Sequence, residues 1–226
     1  NEIDASADNT GSYSWTIPND ISTTVKVKIS DVNDSASYDT SSNNFKIRGS
    51  LRITAPNGAE SWIVDSSENI TWVRNGSIAT VKLEYSTDGG TTYDLIDSSI
   101  TATDLSYAWT IPDDISSAVR VKITNEADST IFDASDSDFA IKGSLALTSP
   151  NGAEVWVVSD AEAITWTYTG SIANVKLDYS TNAGLTYPNP IIAQTPCDGA
   201  HGWTIPDDIS ETVKVRISDF TDDTVN

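Results

Sequence analysis

An all-β chain made of tandem sandwich repeats with a 94-residue period is what three features of this sequence predict. Trp15-Thr16-Ile17-Pro18 returns as Trp109-Thr110-Ile111-Pro112 and as Trp203-Thr204-Ile205-Pro206, 94 residues on each time. Short runs alternate apolar with polar residues, and no segment carries apolar residues at helical spacing with caps over three turns. Turn signals such as Asn57-Gly58, Asp88-Gly89-Gly90 and Pro112-Asp113 punctuate the runs at short intervals. Seven or eight short strands in one period, so punctuated, indicate a two-sheet sandwich of immunoglobulin type.

Residues 1–48 read as the C-terminal half of such a repeat. Tyr13, Trp15 and Ile17 alternate with polar residues, as do Val25, Val27 and Ile29, and Phe45 with Ile47 forms a short closing strand after a turn-rich stretch from Asp31 to Asn44. Gly49-Ser50 marks a boundary, and Gly143-Ser144 marks the next. Linkers this short leave neighbouring repeats little freedom to swing, so a stiff rod is expected.

Residues 49–142 supply one complete repeat, with strands expected at 51–54, 61–64, 69–74, 80–86, 93–96, 106–111, 118–124 and 138–142. The paired cysteines of antibody domains are missing, so Trp62, Trp72 and Trp109 have to provide the core's bulk. Residues 143–226 repeat the pattern without insertion: Trp156 matches Trp62, Trp166 matches Trp72, Tyr179 matches Tyr85 and Tyr187 matches Tyr93. Asn226 falls where Phe132 stands in the preceding copy, so the counterpart of Asp138–Lys142 is not in the sequence. Two readings stand: a piece cut without regard to repeat edges, or a strand supplied by a neighbouring chain. Against the second, residues 1–48 mostly duplicate strands that the last copy already has.

Composition bounds the partners. The 226 residues carry a net charge of −20, which argues against a nucleic-acid backbone or an anionic membrane as partner. No apolar run of about 18 residues is present, so no membrane insertion is expected of this segment. Cys197 is the single cysteine, which excludes an internal disulfide or a multi-cysteine zinc site. The chain begins with Asn1 and has no signal-peptide pattern, as a processed or excised piece would.

Ser149-Pro150-Asn151-Gly152-Ala153-Glu154-Val155-Trp156, then Ile164-Thr165-Trp166 and Val175-Lys176-Leu177-Asp178-Tyr179-Ser180, resemble the immunoglobulin-type repeat of the yeast cell-wall synthesis KNH-like family. The preceding copy has the same frame in Pro56-Asn57-Gly58-Ala59-Glu60-Ser61-Trp62, Ile70-Thr71-Trp72 and Val81-Lys82-Leu83-Glu84-Tyr85-Ser86. The family's closing half is matched by Gly11–Pro18, Val27-Lys28-Ile29-Ser30-Asp31 and Tyr38-Asp39. The resemblance implies an extracellular β-sandwich of large surface or secreted proteins, connected in fungi with wall glucan, and implies no catalytic residues. Ala59 and Ala153 stand where the family has a second Gly.

Candidate chemistry is sparse. Ser86-Thr87-Asp88-Gly89-Gly90-Thr91-Thr92-Tyr93 is similar to an Asp-box hairpin, a structural turn that Asn182 and Ala183 vary in the next copy. Glu126, Asp128, Asp133, Asp136 and Asp138 supply oxygen ligands for calcium if the loop folds back, although solvated surface acids are the preferred reading and no EF-hand spacing is present. Asp20, Asp114 and Asp208 follow Ile-Pro in every copy, where a turn or cap role is expected. Lys26, Lys28, Arg120, Lys122, Lys214 and Arg216 alternate with apolar residues and form a basic stripe on one outer sheet face. It is available for cross-strand ion pairs, for gripping the acidic loops of a neighbouring chain, or for an acidic polysaccharide. Trp62 and Trp156 are the aromatics whose side is least fixed by phase, and either one exposed would serve as a glycan platform. Asn33, Asn69 and Asn75 head sequons permissive for N-glycans in a secreted protein. His201 is the only histidine, and no nucleophile, zinc-protease or phosphate-loop motif accompanies it, so no enzyme is expected. These observations lead to an extracellular or cell-surface structural repeat, a stalk, adhesin spacer or filament component that self-associates, or else to a polysaccharide-binding module.

Overall fold

The computed structural model describes residues 1–226 and is all-β, with nineteen strands and one 3-10 turn at Ala102–Asp104. In the middle repeat a three-stranded sheet runs β10 (Ser106–Thr110), β7 (Ser67–Asn75), β5 (Ser50–Ala55). The opposing sheet runs β6 (Ser61–Ile63), β13 (Phe139–Lys142), β11 (Ser116–Asn125), β8 (Thr80–Ser86), β9 (Asp94–Thr101), with β12 (Phe132–Ala134) paired to β11. All pairings are antiparallel except β6 with β13, which run parallel through Ile141 opposite Trp62. This is an immunoglobulin-like sandwich. Two differences from the sequence reading have simple causes. β9 is longer than expected because a register shift at Leu83 breaks its alternation, and β12 escapes notice because it is three residues long.

The core between these sheets follows from the period of two. Ile53, Ile70, Trp72, Leu83, Ile111, Val121, Ile123 and Ile141 all point inward and are fully or almost fully buried. Trp72 donates its Nε1–H to the Ala102 carbonyl at 3.1 Å, so its one polar atom is satisfied inside. Trp62 is 8% exposed, wedged 4.9 Å from the Phe139 ring and edge-on to Trp109 at 6.1 Å.

The last repeat forms the same sheets in shortened form: β14 (Ser144–Ser149), β15 (Ala161–Thr169), β18 (Ala200–Thr204) on one side, and β17 (Asn189–Pro196), β16 (Asn174–Ser180), β19 (Lys214–Asp219) on the other. Its core comprises Leu145, Ile164, Trp166, Ile172, Val175, Leu177, Cys197, Ile217 and Val225. Residues 155–157, the counterpart of β6, form no strand, and β19 begins four residues later in the repeat than β11 does. Both gaps lie where β13 pairs in the middle repeat, because a strand without a partner has no ladder to hold it extended.

Residues 1–48 form two small ladders, β1 (Ser22–Val25) with β4 (Phe45–Ile47) and β2 (Lys28–Ser30) with β3 (Tyr38–Thr40). Tyr13–Ile17, expected as a strand, is irregular. Its counterpart β10 is held by β7, and residues 1–48 contain no equivalent of β7. Ile47 is the one buried residue of this segment.

Candidate functional site

The feature built most completely from the repeat is the joint between successive units. Only Arg48 and Gly49 separate β4 from β5, and only Gly143 separates β13 from β14. A Cβ at Gly49 would lie 2.6 Å from the Asn75 carbonyl oxygen, and one at Gly143 would lie 2.7 Å from that of Thr169. Glycine is therefore required at both places by close backbone approach. Gly76 and Gly170, both at positive φ, complete the contact: a Cβ on either would touch Gly49 Cα at 3.1 Å or Gly143 Cα at 3.2 Å.

Polar clamps flank these glycines, and they recur. At the first joint Asn19 Nδ2 donates to Ser77 Oγ at 2.7 Å, and the Ser77 amide donates to Asn19 Oδ1 at 2.8 Å. At the second, the Ser171 amide donates to Asp113 Oδ1 at 2.8 Å and the Ser171 hydroxyl donates to Asp113 Oδ2. Ile21 and Ile115, two residues after those clamps, reach Gly76 and Gly170 with their Cδ1 atoms. On the opposite side Arg48 bonds Asp128, 3.3 Å away, and Thr130, while Lys142 pairs with Asp222 at 2.9 Å and bonds Thr224. The Thr224 hydroxyl, then Lys142, hold the Asp222 carboxyl down at about 2. The Thr130 hydroxyl lowers Asp128 in the same way. Each of these contacts at one joint has its counterpart 94 residues on at the other.

The calcium expectation meets a different geometry. Asp128 is engaged by Arg48 and Thr130, Asp133 accepts the Ile53 amide at 2.7 Å, Asp136 accepts Asn57 Nδ2 at 2.7 Å, and Asp138 pairs with Arg120 at 2.5 Å. The four carboxylates point to four different protein donors, and no three acidic or histidine ligands converge anywhere in the chain. Trp62 is buried, so the platform expected of it is corrected: core packing against Phe139 and Trp109 leaves no ring face for a sugar. Trp156 is half-buried against Trp203 at 6.0 Å. Asn33, Asn69 and Asn75 are exposed, and Asn75 also donates to Ser50 Oγ at 3.1 Å beside the first joint. His201 sits on β18 opposite Ile164.

Arg120, Lys122 and Arg216 of the basic stripe enter ion pairs, and Lys26, Lys28 and Lys214 do not. Glu84 accepts Lys82 at 2.8 Å and lies 3.8 Å from Lys122; Arg216 pairs with Asp178 at 2.9 Å, the equivalent cross-strand position. Aromatic side chains cover the cations: Tyr38 lies under Lys28 at 4.2 Å, Tyr93 and Phe132 flank Lys122 at 5.0 and 5.6 Å, and Tyr187 lies under Arg216 at 4.5 Å. Phe132, 57% exposed, and its counterpart Tyr38 are among the exposed aromatics that sequence reasoning passed over. Their spacing of 94 residues was the available signal.

Asp88 closes its hairpin by accepting from Ser86 Oγ, the amides of Thr91 and Thr92 and the Thr92 hydroxyl, and these donors drive its carboxyl well below the usual range. Asn182 makes the corresponding bonds to Ser180 and Thr186. The aspartates after Ile-Pro cap a tyrosine: Tyr85 donates to Asp114, and Tyr179 to Asp208. Burial, and then that bond, push the Tyr179 hydroxyl up to about 12.

No family model matches the chain, and no curated protein matches it. Among solved structures it is similar to the fibronectin(III)-like modules of CbhA from Clostridium thermocellum, at 16% identity over 75% of this chain and 85% of that one, with a TM-score of 0.27. At that score the likeness carries no argument. The immunoglobulin-like sandwich rests on the strand topology described above, and the narrower resemblance to the KNH-like family is not carried by these matches.

Proposed function

We propose that this chain is a non-catalytic, extracellular structural repeat that holds a fixed span as a stiff rod, in the manner of a surface stalk or filament shaft, and that it is divided at 49 and 143. The supporting observation is the joint: two successive ones use the same glycines, the same serine clamp and the same cation–aspartate pair. A linker of one or two residues, locked on both sides, converts the stability of each sandwich into resistance to bending. The KNH-like resemblance belongs to this reading as a statement about setting, at a cell wall or surface. Small-angle scattering tests it: the chain is expected to give one extended distance distribution, lengthened and blurred when four Gly-Ser pairs are inserted between Gly143 and Ser144. An unchanged distribution would show that the joint was never rigid.

A second reading, polysaccharide binding, is favoured by one observation. Phe132 and Tyr38 present exposed rings beside Lys122 and Lys28 on the outer sheet. A glycan array with wild type and Phe132→Ala decides it: binding lost in the variant supports the platform, and an empty array removes it.

A further inference from the structure

Asn57, Asn75 and Asn151 are each followed by glycine, and the fold surrounds the three pairs differently. An Asn-Gly pair is chemically labile because the glycine nitrogen can attack the side-chain carbonyl carbon unhindered by a Cβ. The attack needs an amide free to lose its proton and a side chain free to turn. At Asn57 neither is free. The Gly58 amide donates to Glu60 Oε2 at 2.8 Å, while Asn57 Nδ2 donates to Asp136 Oδ2 at 2.7 Å and Asn57 Oδ1 accepts the Asp136 amide at 2.8 Å. At Asn151 the side chain is exposed, but the Gly152 amide is held by Glu154 Oε2 at 2.7 Å. A carboxylate beside the attacking nitrogen disfavours its deprotonation. Glu154 stays ionised, since the Asn151 amide holds its carboxyl below the ordinary value.

Asn75 lacks both guards. It ends β7 at the first joint and is exposed, with Nδ2 donating to Ser50 Oγ at 3.1 Å and Oδ1 accepting from no donor. The Gly76 amide donates to no acceptor, and the charge beside this glycine has the opposite sign: Arg74 Nη1 donates to the Gly76 carbonyl at 2.6 Å. A cation there favours the deprotonated amide that attacks. We propose that Asn75 is a site of selective spontaneous deamidation, and that the first joint ages through it while the second, with Thr169 in that place, does not.

Hydroxide takes the proton from the Gly76 nitrogen, which then bonds to Asn75 Cγ. The Cγ–Nδ2 bond breaks, and Nδ2 leaves as ammonia with a proton supplied by water. Water opens the resulting cyclic imide at either carbonyl, giving aspartate or, with the main chain rerouted through Cβ, isoaspartate. The sum is amide plus water going to carboxylate plus ammonium. Asn75 stands opposite Ser50 in the ladder and Gly76 packs on Gly49 Cα, so the ring closes when the joint opens locally. Isoaspartate then adds a main-chain atom between β7 and Gly76, which shifts Gly76 from Gly49 and Ser77 from Asn19. Reversible opening becomes a permanent hinge. That consequence rests on the rod reading; the chemistry at Asn75 does not.

Peptide mapping by mass spectrometry, after incubation of the whole unglycosylated chain at mildly alkaline pH, is the test. Asn75 is expected to convert about tenfold faster than Asn57 or more, the ratio set by one hydrogen bond to a charged group, with Asn151 between them. In denaturant the three rates should converge. Glu154→Gln keeps the acceptor and removes the charge, so Asn151 should speed up several-fold while tryptophan emission stays unchanged. Arg74→Gln should slow Asn75 by a similar factor, and a rate at Asn57 that stays low shows that the repeat is still folded. Conversion of Asn57 or Asn151 as fast as Asn75 in the native chain, or a native Asn75 that does not convert, overturns the proposal. Spin labels flanking the first joint should then show broadened distances in aged wild type and unchanged ones in aged Asn75→Thr. Selective conversion without broadening would uphold the site and count against the rigid joint instead.

Discussion

The middle and last repeats share one sequence frame but are not equally well folded, and the difference isolates what a single closing strand does. In the middle repeat β13 ties β6 to β11, and the aromatic stack Phe139–Trp62–Trp109–Tyr85 is closed at both ends. In the last repeat the stack stops at Trp156, β6 has no counterpart, and β19 is trimmed at its start. A core of eighteen buried residues on one side stands against nine on the other. The lesson is that the parallel edge of such a sandwich is stabilised across the fold rather than by its own residues, since Val155-Trp156-Val157 has as much strand propensity as Ser61-Trp62-Ile63.

The largest effect should come from the aromatic that this strand covers. Trp62→Ala is expected to cost about 3–5 kcal/mol in the middle repeat, because a buried aromatic leaves a cavity. Trp156→Ala, at a half-buried position, should cost markedly less. Denaturant unfolding followed by tryptophan fluorescence should show two transitions, the last repeat melting first; equal losses in the two variants would remove the contrast. Next in size, Gly143→Ala forces a methyl group onto the Thr169 carbonyl and the Ile172 side chain, at 2.7 and 2.8 Å. Relieving that overlap should cost about 1–3 kcal/mol, and the resulting bend should be visible as a shortened maximum dimension in scattering.

Smaller still is the serine clamp, where the two joints differ by one atom type. Asn19 does at the first joint what Asp113 does at the second, so Asp113→Asn should be nearly silent, while Asp113→Ala should loosen the joint by about 0.5–1.5 kcal/mol, the usual net value of a hydrogen bond. Distance distributions between spin labels on the two repeats would separate these outcomes. The smallest effect is that of the Lys142–Asp222 pair. The folded-state carboxyl lies at about 2, below its ordinary value of 3.8, so its contribution is complete above about pH 4 and is lost as pH falls through 2. Being largely solvated, it should amount to under about 1 kcal/mol and fade with salt. Label distances compared at pH 6, 3 and 2 would register it, and a joint that loosened on raising the pH from 6 to 9 would contradict the sign.

Much of this was legible before any coordinates. The alternation of Val119, Val121 and Ile123 placed those side chains inside, and the recurring Trp-Thr-Ile-Pro placed the turn that carries Asp114 and Asp208. The joint was legible only in part. Gly49 and Gly143 were visible as boundaries, but the clamping serines, Ser77 and Ser171, are 28 residues further along the chain. Nothing local links them to Asn19 or Asp113. The acidic stretch from Glu126 to Asp138 shows the same limit: nearness in sequence gathers carboxylates that β12 and the turns around it send to Arg48, Ile53, Asn57 and Arg120.

The sequence by itself determined the repeat, the strand faces and the shortness of the linkers, because these depend on spacing, on the two-residue period of a strand and on glycine at fixed positions. Only the tertiary structure decided which carboxylate meets which cation and which tryptophan is covered. Those outcomes depend on residues far apart in the chain being brought together across two sheets, and a side chain's partner there is set by the packing of the whole sandwich.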